Sequence, residues 1–566
     1  MSSSPRLPVP DLNETCRRYL QQVRPLLDDA AYQKTEAATR YFRSHKGHEL
    51  QTALQEFAEE AEGSWLIDAW LASYLDIRIP LPLASNVGFI LQNHGKGAAE
   101  WAAALAAVCA DYHHRRIPQP QTPQGTPVCM AQWAILQGAC RIPQLGSDGF
   151  RFALQSRHIG VFHNGFYYRI AALDENFEAY HPDTFRQAFE HILAEQSGNP
   201  YPVTVPVYLG GDDTARLYQE LQKQDDNNRL LEHIEQDLFH ISLYHQEQSA
   251  DDDLARASFQ PLQDVWCYKP TTYCYNTATN RLFLHCEHSW EDGGALKGII
   301  TLAAEKLTQT SSGQRIHAAV TRYEWLLNNS QQQNWPKWQQ QYREQAEKMR
   351  VSSVHIPFAG RSIPKGISQD ALMQFTMQYA QLTTYGSIRN TYEAVDVSHF
   401  QSGRTECVRP VSAESVAFVR SLSQQKPDAE TLAAALAEHK ARIKAAKLGQ
   451  GANRHLLGLQ LMAKRSGSRR SAFFQDPGYL AFTTDFLSTS TLGDDAVVHN
   501  FAFAPTSPGG LGINYTLTAE GWLFTLSYLE NQRQDAGVFL EALKQGADEL
   551  LTFVNSIGAL SQVPSS

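Results

Sequence analysis

The sequence predicts an α/β fold, because helical and strand patterns alternate in both halves of the 566-residue chain. In the first half, residues 11–62 and an alanine-rich run within 96–116 have helical patterns. Strand-like runs cover residues 160–170, 202–209 and 282–286. A chain of this length is expected to form at least two domains.

The second half repeats this mixture of patterns. Four helices are predicted there, over residues 369–382, 411–424, 428–447 and 535–557. The strand-like runs 513–517 and 522–528 flank Thr518-Ala519-Glu520-Gly521, which indicates a hairpin. The glutamine-rich run 323–350 fits either a helix that bridges two domains or a solvated surface helix.

Composition limits the classes of function. The 49 basic and 59 acidic residues give a formal net charge of −10, which argues against a general nucleic-acid binder. No window approaches the roughly 18 apolar residues of a membrane helix. The N-terminus lacks a secretory pattern, and Val563-Pro564-Ser565-Ser566 is not a peroxisomal signal. We therefore expect a cytoplasmic protein without a membrane span.

The eight cysteines form no Cys-x-x-Cys pair, and no cluster of histidines and cysteines has zinc-site spacing. They are Cys16, Cys109, Cys129, Cys140, Cys267, Cys274, Cys286 and Cys407. The simplest interpretation is a set of free thiols in a reducing compartment, with no bound metal.

The strongest candidate for chemistry is the stretch from Cys286 to Gly294. His288 follows a predicted strand, Asp292 stands four residues later, and Gly293-Gly294 favours a turn. A loop at a strand end is where a rigid scaffold can present a general base. From this stretch alone, an incidental pair remains the alternative.

A family resemblance strengthens this hypothesis. His288-Ser289-Trp290-Glu291-Asp292-Gly293 resembles the His-x-x-x-Asp-Gly signature of coenzyme A-dependent acyltransferases, and Glu287-His288-Ser289 has the form found in the choline/carnitine acyltransferase family. Further blocks match that family in the same order, at residues 7–12, 65–66, 70, 74–75, 78, 80–81, 86, 130–132, 140–143, 392–393, 403–406, 454–459 and 487–490.

The resemblance implies two similar lobes, each like chloramphenicol acetyltransferase, around a central substrate tunnel. Residues 1–340 would form the lobe with the catalytic histidine, and residues 341–566 the lobe with the coenzyme A and carnitine segments. His288 would be the general base, Asp292 would support its loop directly or through an arginine, and Ser490 would donate to the oxyanion.

The resemblance also implies a carnitine site. Tyr392, Thr405 and Arg454 would bind the carboxylate, while Ser488 and Phe503 would lie near the trimethylammonium group. Choline lacks the carboxylate, so a choline enzyme would gain nothing from the arginine, and burying it unpaired would cost several kcal/mol. We therefore expect carnitine as the acceptor.

Coenzyme A is expected as a co-substrate, with no permanently bound cofactor. Residues 358–365 resemble the family's basic segment, so Arg361 and Lys365 would meet the 3′-phosphate, with Ser368 and Asp370 nearby. The first cation is usually lysine, and Ser368-Gln369-Asp370 replaces a usual Ser-Pro-Asp. These departures leave open a carrier-protein-bound acyl donor.

Phe501 falls where medium- and long-chain members of the family resemble one another in having a small residue. Its ring would shorten the acyl pocket, so we expect acetyl to short acyl groups. The alternative is that the ring points into the core. Two further hypotheses are an acyltransferase for another alcohol and a non-catalytic binder of quaternary ammonium ligands or acyl-CoA, which would need neither His288 nor Ser490.

Overall fold

The computed structural model of the protein describes residues 4–247, 250–309, 311, 313–467 and 471–561. Its helices in these ranges are α1 (Leu12–Val23), α2 (Asp29–Ser44), α3 (Lys46–Glu60), α4 (Ile67–Leu75), α5 (Ala98–His113), α6 (Pro182–Leu193), α7 (Gly211–Leu221), α8 (Asp225–Gln236), α9 (Asp251–Phe259), α10 (Gly293–Leu307), α11 (Asn329–Ala346), α12 (Gln369–Tyr385), α13 (Ala413–Ser423), α14 (Ala429–Lys447), α15 (Ala452–Arg465), α16 (Pro477–Thr483) and α17 (Arg533–Ser561).

The strands are β1 (Val87–Leu91), β2 (Ala139–Ile142), β3 (Gly149–Phe152), β4 (His158–His163), β5 (Phe166–Ala171), β6 (His240–Tyr244), β7 (Thr271–Asn276), β8 (Leu282–Cys286), β9 (Thr321–Tyr323), β10 (Met349–Pro357), β11 (Thr391–Asp396), β12 (Thr405–Val408), β13 (Leu487–Ser490), β14 (Val498–Phe503), β15 (Leu511–Leu517) and β16 (Gly521–Leu529). The α/β class is therefore confirmed, as are the helices of the second half and the β15–β16 hairpin.

Two strand predictions need correction. Residues 202–209 contain a short 3-10 helix, Val205–Tyr208, instead of a strand. Pro206 has no N–H for a strand ladder, and residues 202–208 are all buried, so burial does not alternate as it does in a half-buried strand. Residues 160–170 form two strands, because Asn164 and Gly165, with φ of 50° and 81°, make the tight turn between β4 and β5.

The strands form two large sheets. The first has the order β14-β1-β8-β7-β6-β4-β5-β9 and the second has the order β10-β16-β15-β13-β11-β12. Strand β14 comes from the second half of the chain, yet it pairs antiparallel with β1, with Phe501 opposite Phe89. Three residues of β14 also form hydrogen bonds with side chains of β15 and β16, so the two sheets meet at β14. The domain boundary near residue 340 stays a prediction.

Helices cover both sheets. One core packs α5 and α10 against the first sheet, and another packs α12 and α17 against the second. The N-terminal helices instead pack on α15 and α16, through residues such as Tyr19 and Phe482. Helix α11 buries Trp335, whose indole N–H donates to the Pro202 carbonyl. Two residues separate its end from the start of β10 in the second sheet.

The eight cysteines are free thiols, as predicted. Across the described ranges, no helix combines the length and the apolar character that crossing a membrane requires.

Candidate active site

A cavity of about 340 Å³ lies between the two sheets. Its walls come from β1 and β14 of the first sheet, β11 and β13 of the second, and the loop after β8. Eight of the predicted site residues line it, namely His288, Asp292, Tyr392, Thr405, Ser488, Ser490, Phe501 and Phe503. The structure thus brings most of the predicted site into one space.

His288 lies directly after β8, where the chain leaves the sheet. The ring of Tyr74 packs edge-on against its imidazole, with the ring centres 5.9 Å apart. Burial lowers the pKa of His288 below 6.5, and the charge of Arg404 acts in the same direction. Asp292 and the nearby Glu291 carbonyl raise the pKa in part, although the buried Nδ1 makes no regular hydrogen bond. The imidazole is therefore a neutral base at pH 7.

Asp292 lines the cavity, and its carboxylate forms an ion pair with Arg404. Nε of Arg404 donates to Oδ2 over 2.7 Å and Nη2 donates to Oδ1 over 3.2 Å. Burial raises the pKa of Asp292, but Arg404, His288 and Gln132 together outweigh this effect and the net shift is downward. Arg404 also donates to the carbonyls of His288, Ser289 and Glu291. The pair therefore braces the loop that carries His288.

A second buried ion-pair network supports the start of that loop. Arg141 donates to Asp148 over 2.8 Å and to Glu287 over 3.1 Å, and all three side chains are inaccessible to solvent. The other oxygen of Glu287 accepts from the Ser289 hydroxyl over 2.7 Å. The residues on both sides of His288 are thus fixed from behind.

The predicted acceptor side of the cavity is built on β11 and β13. These strands run parallel, with Tyr392 beside Ser488. Ser488, Thr489 and Ser490 all line the cavity, but the Thr489 hydroxyl donates to the Tyr392 carbonyl over 2.7 Å and accepts from Gln374 over 3.0 Å. The sequence Ser-Thr-Ser therefore presents two hydroxyls to the cavity and uses the third to join the strands.

Arg454 lies beside this wall near the start of α15. Its Nη2 donates to the Tyr392 hydroxyl over 3.2 Å, and its Nε donates to the Thr405 carbonyl over 3.1 Å. The guanidinium lies 4.7 Å from the centre of the Trp70 ring. Arg454, Thr405 and Trp70 also line a small adjoining cavity. The three predicted carboxylate ligands are thus neighbours.

Phe501 lies in the opposite wall. It lines the cavity, and its ring centre is 5.3 Å from that of Phe89 and 6.0 Å from that of Phe503. The ring is almost completely buried. It belongs both to the cavity wall and to the core of the first sheet.

The predicted coenzyme A residues do not line the cavity, and their role stays a prediction. The guanidinium of Arg361 pairs with Asp548, and Lys365 is exposed. Ser368 caps α12 by accepting from the Ala371 N–H. The Asp370 carboxylate accepts from His439 and from the Tyr515 hydroxyl, each over 2.9 Å.

Three roles near the site were not found from the sequence. Gln132 contacts both the N–H and the carboxylate of Asp292. The Trp70 ring contacts the guanidiniums of both Arg404 and Arg454. Asp396 lines the cavity, with its carboxylate held by the N–H and hydroxyl of Ser398. Gln132 and Trp70 stand in the matched sequence blocks, but those blocks give no contact partners.

The arrangement suits proton transfer beside a polar pocket. A neutral imidazole faces a space that also holds hydroxyl donors and adjoins the half-buried guanidinium of Arg454. Such groups can take a proton from an alcohol, bind its anionic substituent and stabilise a developing oxyanion.

Comparisons with known proteins agree with this chemistry. The family model described as choline/carnitine O-acyltransferase matches residues 7–545. The mitochondrial carnitine O-palmitoyltransferase 2 of Rattus norvegicus is 26% identical, over 91% of this chain and 86% of that protein. The carnitine O-acetyltransferase of Columba livia is 27% identical, over 92% of this chain and 88% of that protein.

Among solved structures, a trichothecene 15-O-acetyltransferase from Fusarium sporotrichioides aligns with a TM-score of 0.40 and 9% identity, over 85% of this chain and 94% of that chain. The family match extends over nearly the whole chain and includes the loop of His288 and both walls of the cavity. This protein belongs to the choline/carnitine O-acyltransferase family.

Proposed function

We propose that the protein transfers an acyl group reversibly between coenzyme A and the hydroxyl of carnitine. The observation that carries this proposal is the shared cavity, in which His288 and the wall of Tyr392, Thr405 and Ser490 face the same space. A base and an alcohol-binding wall are both needed for acyl transfer, whereas a simple binder has no use for the base.

In the forward direction, His288 takes the proton of the carnitine hydroxyl as its oxygen attacks the thioester carbonyl. The Ser490 hydroxyl donates to the oxyanion that forms, a contribution of about 3 kcal/mol for a well-placed donor. The carbon–sulfur bond then breaks, and the thiolate of coenzyme A takes the proton from His288. The histidine ends as it began, so no acyl-enzyme is required.

Carnitine is the proposed acceptor because of the group around Arg454. Its guanidinium, the Tyr392 hydroxyl and Thr405 form one cluster beside the cavity. A carboxylate would provide the half-buried guanidinium with an anionic partner, and the Phe503 ring with Ser488 would face the ammonium end. Choline would leave the guanidinium without that partner.

The acyl groups that we propose for transfer are short. Phe501 is a large ring in the cavity wall, and Phe89 packs against it. The curated relatives include both palmitoyl- and acetyltransferases, so family membership leaves the chain length open. The proposal therefore rests on Phe501.

A carrier-protein-bound thioester is a second candidate donor, and a specific observation favours it. Arg361, which would meet the 3′-phosphate of coenzyme A, already pairs with Asp548. A carrier-bound phosphopantetheine has no 3′-phosphate and would not need this cation.

The proposed location of the protein stays cytoplasmic.

A thiol-release assay tests the proposal. Acetyl-CoA is offered with carnitine, with choline and with no acceptor, and His288→Ala is the matched inactive control. We expect thiol release with carnitine well above that with choline. Equal release with both alcohols would reject carnitine as the acceptor, and carnitine-independent release would reject acyl transfer.

A further inference from the structure

Gln132 lies where the histidine loop meets the β11–β12 hairpin, and its side chain is 5% exposed. Nε2 donates to Asp292 Oδ2 and to the Gly403 carbonyl, each over 3.1 Å. Oε1 accepts from the Asp292 N–H over 2.7 Å. The primary amide therefore uses both of its donors and its acceptor.

These three bonds connect two segments that are far apart in the chain. Asp292 ends the loop that carries His288, and Gly403 directly precedes Arg404 and Thr405. The neighbours of Gln132 strengthen the connection. The Trp290 indole donates to the Ala131 carbonyl over 3.1 Å, and the Cys129 N–H donates to the Ser398 carbonyl over 2.8 Å.

We propose that Gln132 is a positioning residue that sets the geometry of the Asp292–Arg404 pair and, through it, the position of the His288 imidazole. This inference rests on the proposed acyl transfer and adds a residue that acts through others. The chemistry requires an amide. A carboxylate of the same size would lose both donors and place a second anion beside Asp292, and an apolar side chain would lose all three bonds.

A positioning role for Gln132 predicts changes in the pKa of His288 and in turnover that a purely structural role does not. Several ionisable groups surround His288, namely Asp292 and Glu291 from its own loop, Arg404 from the hairpin and Tyr74 from α4. Gln132→Glu adds one negative charge to this set, so it raises the pKa of His288. The same substitution also displaces the Asp292–Arg404 pair. Small displacements of catalytic groups lower turnover by about 10-fold or more.

The test compares wild type, Gln132→Glu and Gln132→Met with the matched controls Gln378→Glu and Gln378→Met. Gln378 is equally buried and its amide also bonds, to the Pro410 carbonyl and the Ser415 hydroxyl, but it lies in α12. The measurements are the melting temperature, kcat and KM with acetyl-CoA and carnitine, and the pKa of His288 from NMR titration of its ring proton, assigned with His288→Gln.

We expect both Gln132 variants to lower kcat by about 10-fold or more with KM nearly unchanged. Gln132→Glu alone should raise the pKa of His288. The Gln378 variants should lower only the melting temperature. Folded Gln132 variants with wild-type kcat, or a Gln132→Glu variant with the wild-type pKa, would overturn the inference. A wild type without activity would reject the proposed function instead, and the NMR titration would still test the positioning role.

Discussion

The guanidinium of Arg404 is bound to the carboxylate of Asp292 through two hydrogen bonds, although the residues are 112 positions apart. The same guanidinium contacts three carbonyls of the histidine loop. Asp292 is thus a structural partner of this arginine, and its effect on His288 is electrostatic.

The first prediction concerns pH. The base must be neutral to act, so kcat/KM should be constant at high pH and fall as the pH drops through the pKa of His288. Burial and Arg404 place that pKa below 6.5. Arg404→Gln removes a cation that lowers it, so the acid limb of the kcat/KM profile should move to higher pH. An unchanged or opposite shift would show that this charge does not act on His288.

The second prediction concerns the base itself. His288→Ala should lower kcat by at least about 10²-fold, because loss of a general base typically costs 10²–10⁴. Binding of carnitine and acetyl-CoA, measured by calorimetry, should stay close to wild type. His355→Ala is the control, since that histidine is exposed and its imidazole bonds to Thr518, outside the cavity. Near-normal turnover in the His288 variant would remove it from the mechanism.

The third prediction concerns acceptor choice. Arg454→Ala should weaken the use of carnitine by more than about tenfold, because a hydrogen bond to a charged group contributes about 1.5–3 kcal/mol. Its effect on choline should be much smaller, since choline has no carboxylate. The measurement is kcat/KM for both alcohols, with the exposed Arg420→Ala as the control. Equal losses would mean that Arg454 does not bind the carboxylate.

The fourth prediction concerns the donor. If Lys365 binds the 3′-phosphate, Lys365→Ala should raise KM for acetyl-CoA about two- to fivefold, as expected for an exposed charge pair. Acetyl-dephospho-CoA lacks that phosphate, and its KM should not change. A variant that alters neither KM would favour a donor without a 3′-phosphate, and acetylated carrier protein should then be tested directly.

The fifth prediction concerns acyl length. The wild type should prefer acetyl to short acyl groups, and Phe501→Gly should gain activity with longer ones because removing the ring opens the wall beside Phe89. Phe501→Leu should lie between them. The measurement is kcat/KM across acyl-CoA chain lengths, with melting temperatures to confirm folding. A wild type that prefers octanoyl- or palmitoyl-CoA would show that the ring does not limit the pocket.

The parts of the fold predicted well from sequence are those set by local patterns. The β15–β16 hairpin and helix α14 follow directly from turn residues, proline and periodicity. The strand predicted for residues 202–209 is wrong. Its four buried apolar residues resemble a strand in sequence, and only the tertiary packing shows that all of them are buried. Asn164-Gly165 is a typical two-residue hairpin turn and divides residues 160–170 into β4 and β5.

The residues of the site likewise divide into those that the sequence predicts and those that only the tertiary structure shows. His288 and Asp292 share one loop and could be grouped from their spacing. The grouping of Tyr392, Thr405 and Arg454, which lie in separate segments, came from the family resemblance. Contacts that neither spacing nor the resemblance indicates could not be predicted. Asp548, which pairs with Arg361, is 187 positions away, and nothing local to either residue indicates the contact. Gln132 stood in a matched block, but its bonds are made with Asp292, 160 positions later, and with Gly403, 271 positions later.

The pairing of β14 with β1 has a consequence for synthesis on the ribosome. As the chain emerges, β1 can pair with β8 on one side, but its other edge keeps unpaired N–H and C=O groups until residues 498–503 have been made. An open edge of this kind is a site for aggregation. Nascent or prematurely terminated chains should therefore need protection by chaperones, and the two halves should yield a working enzyme only when the second is present to complete the first.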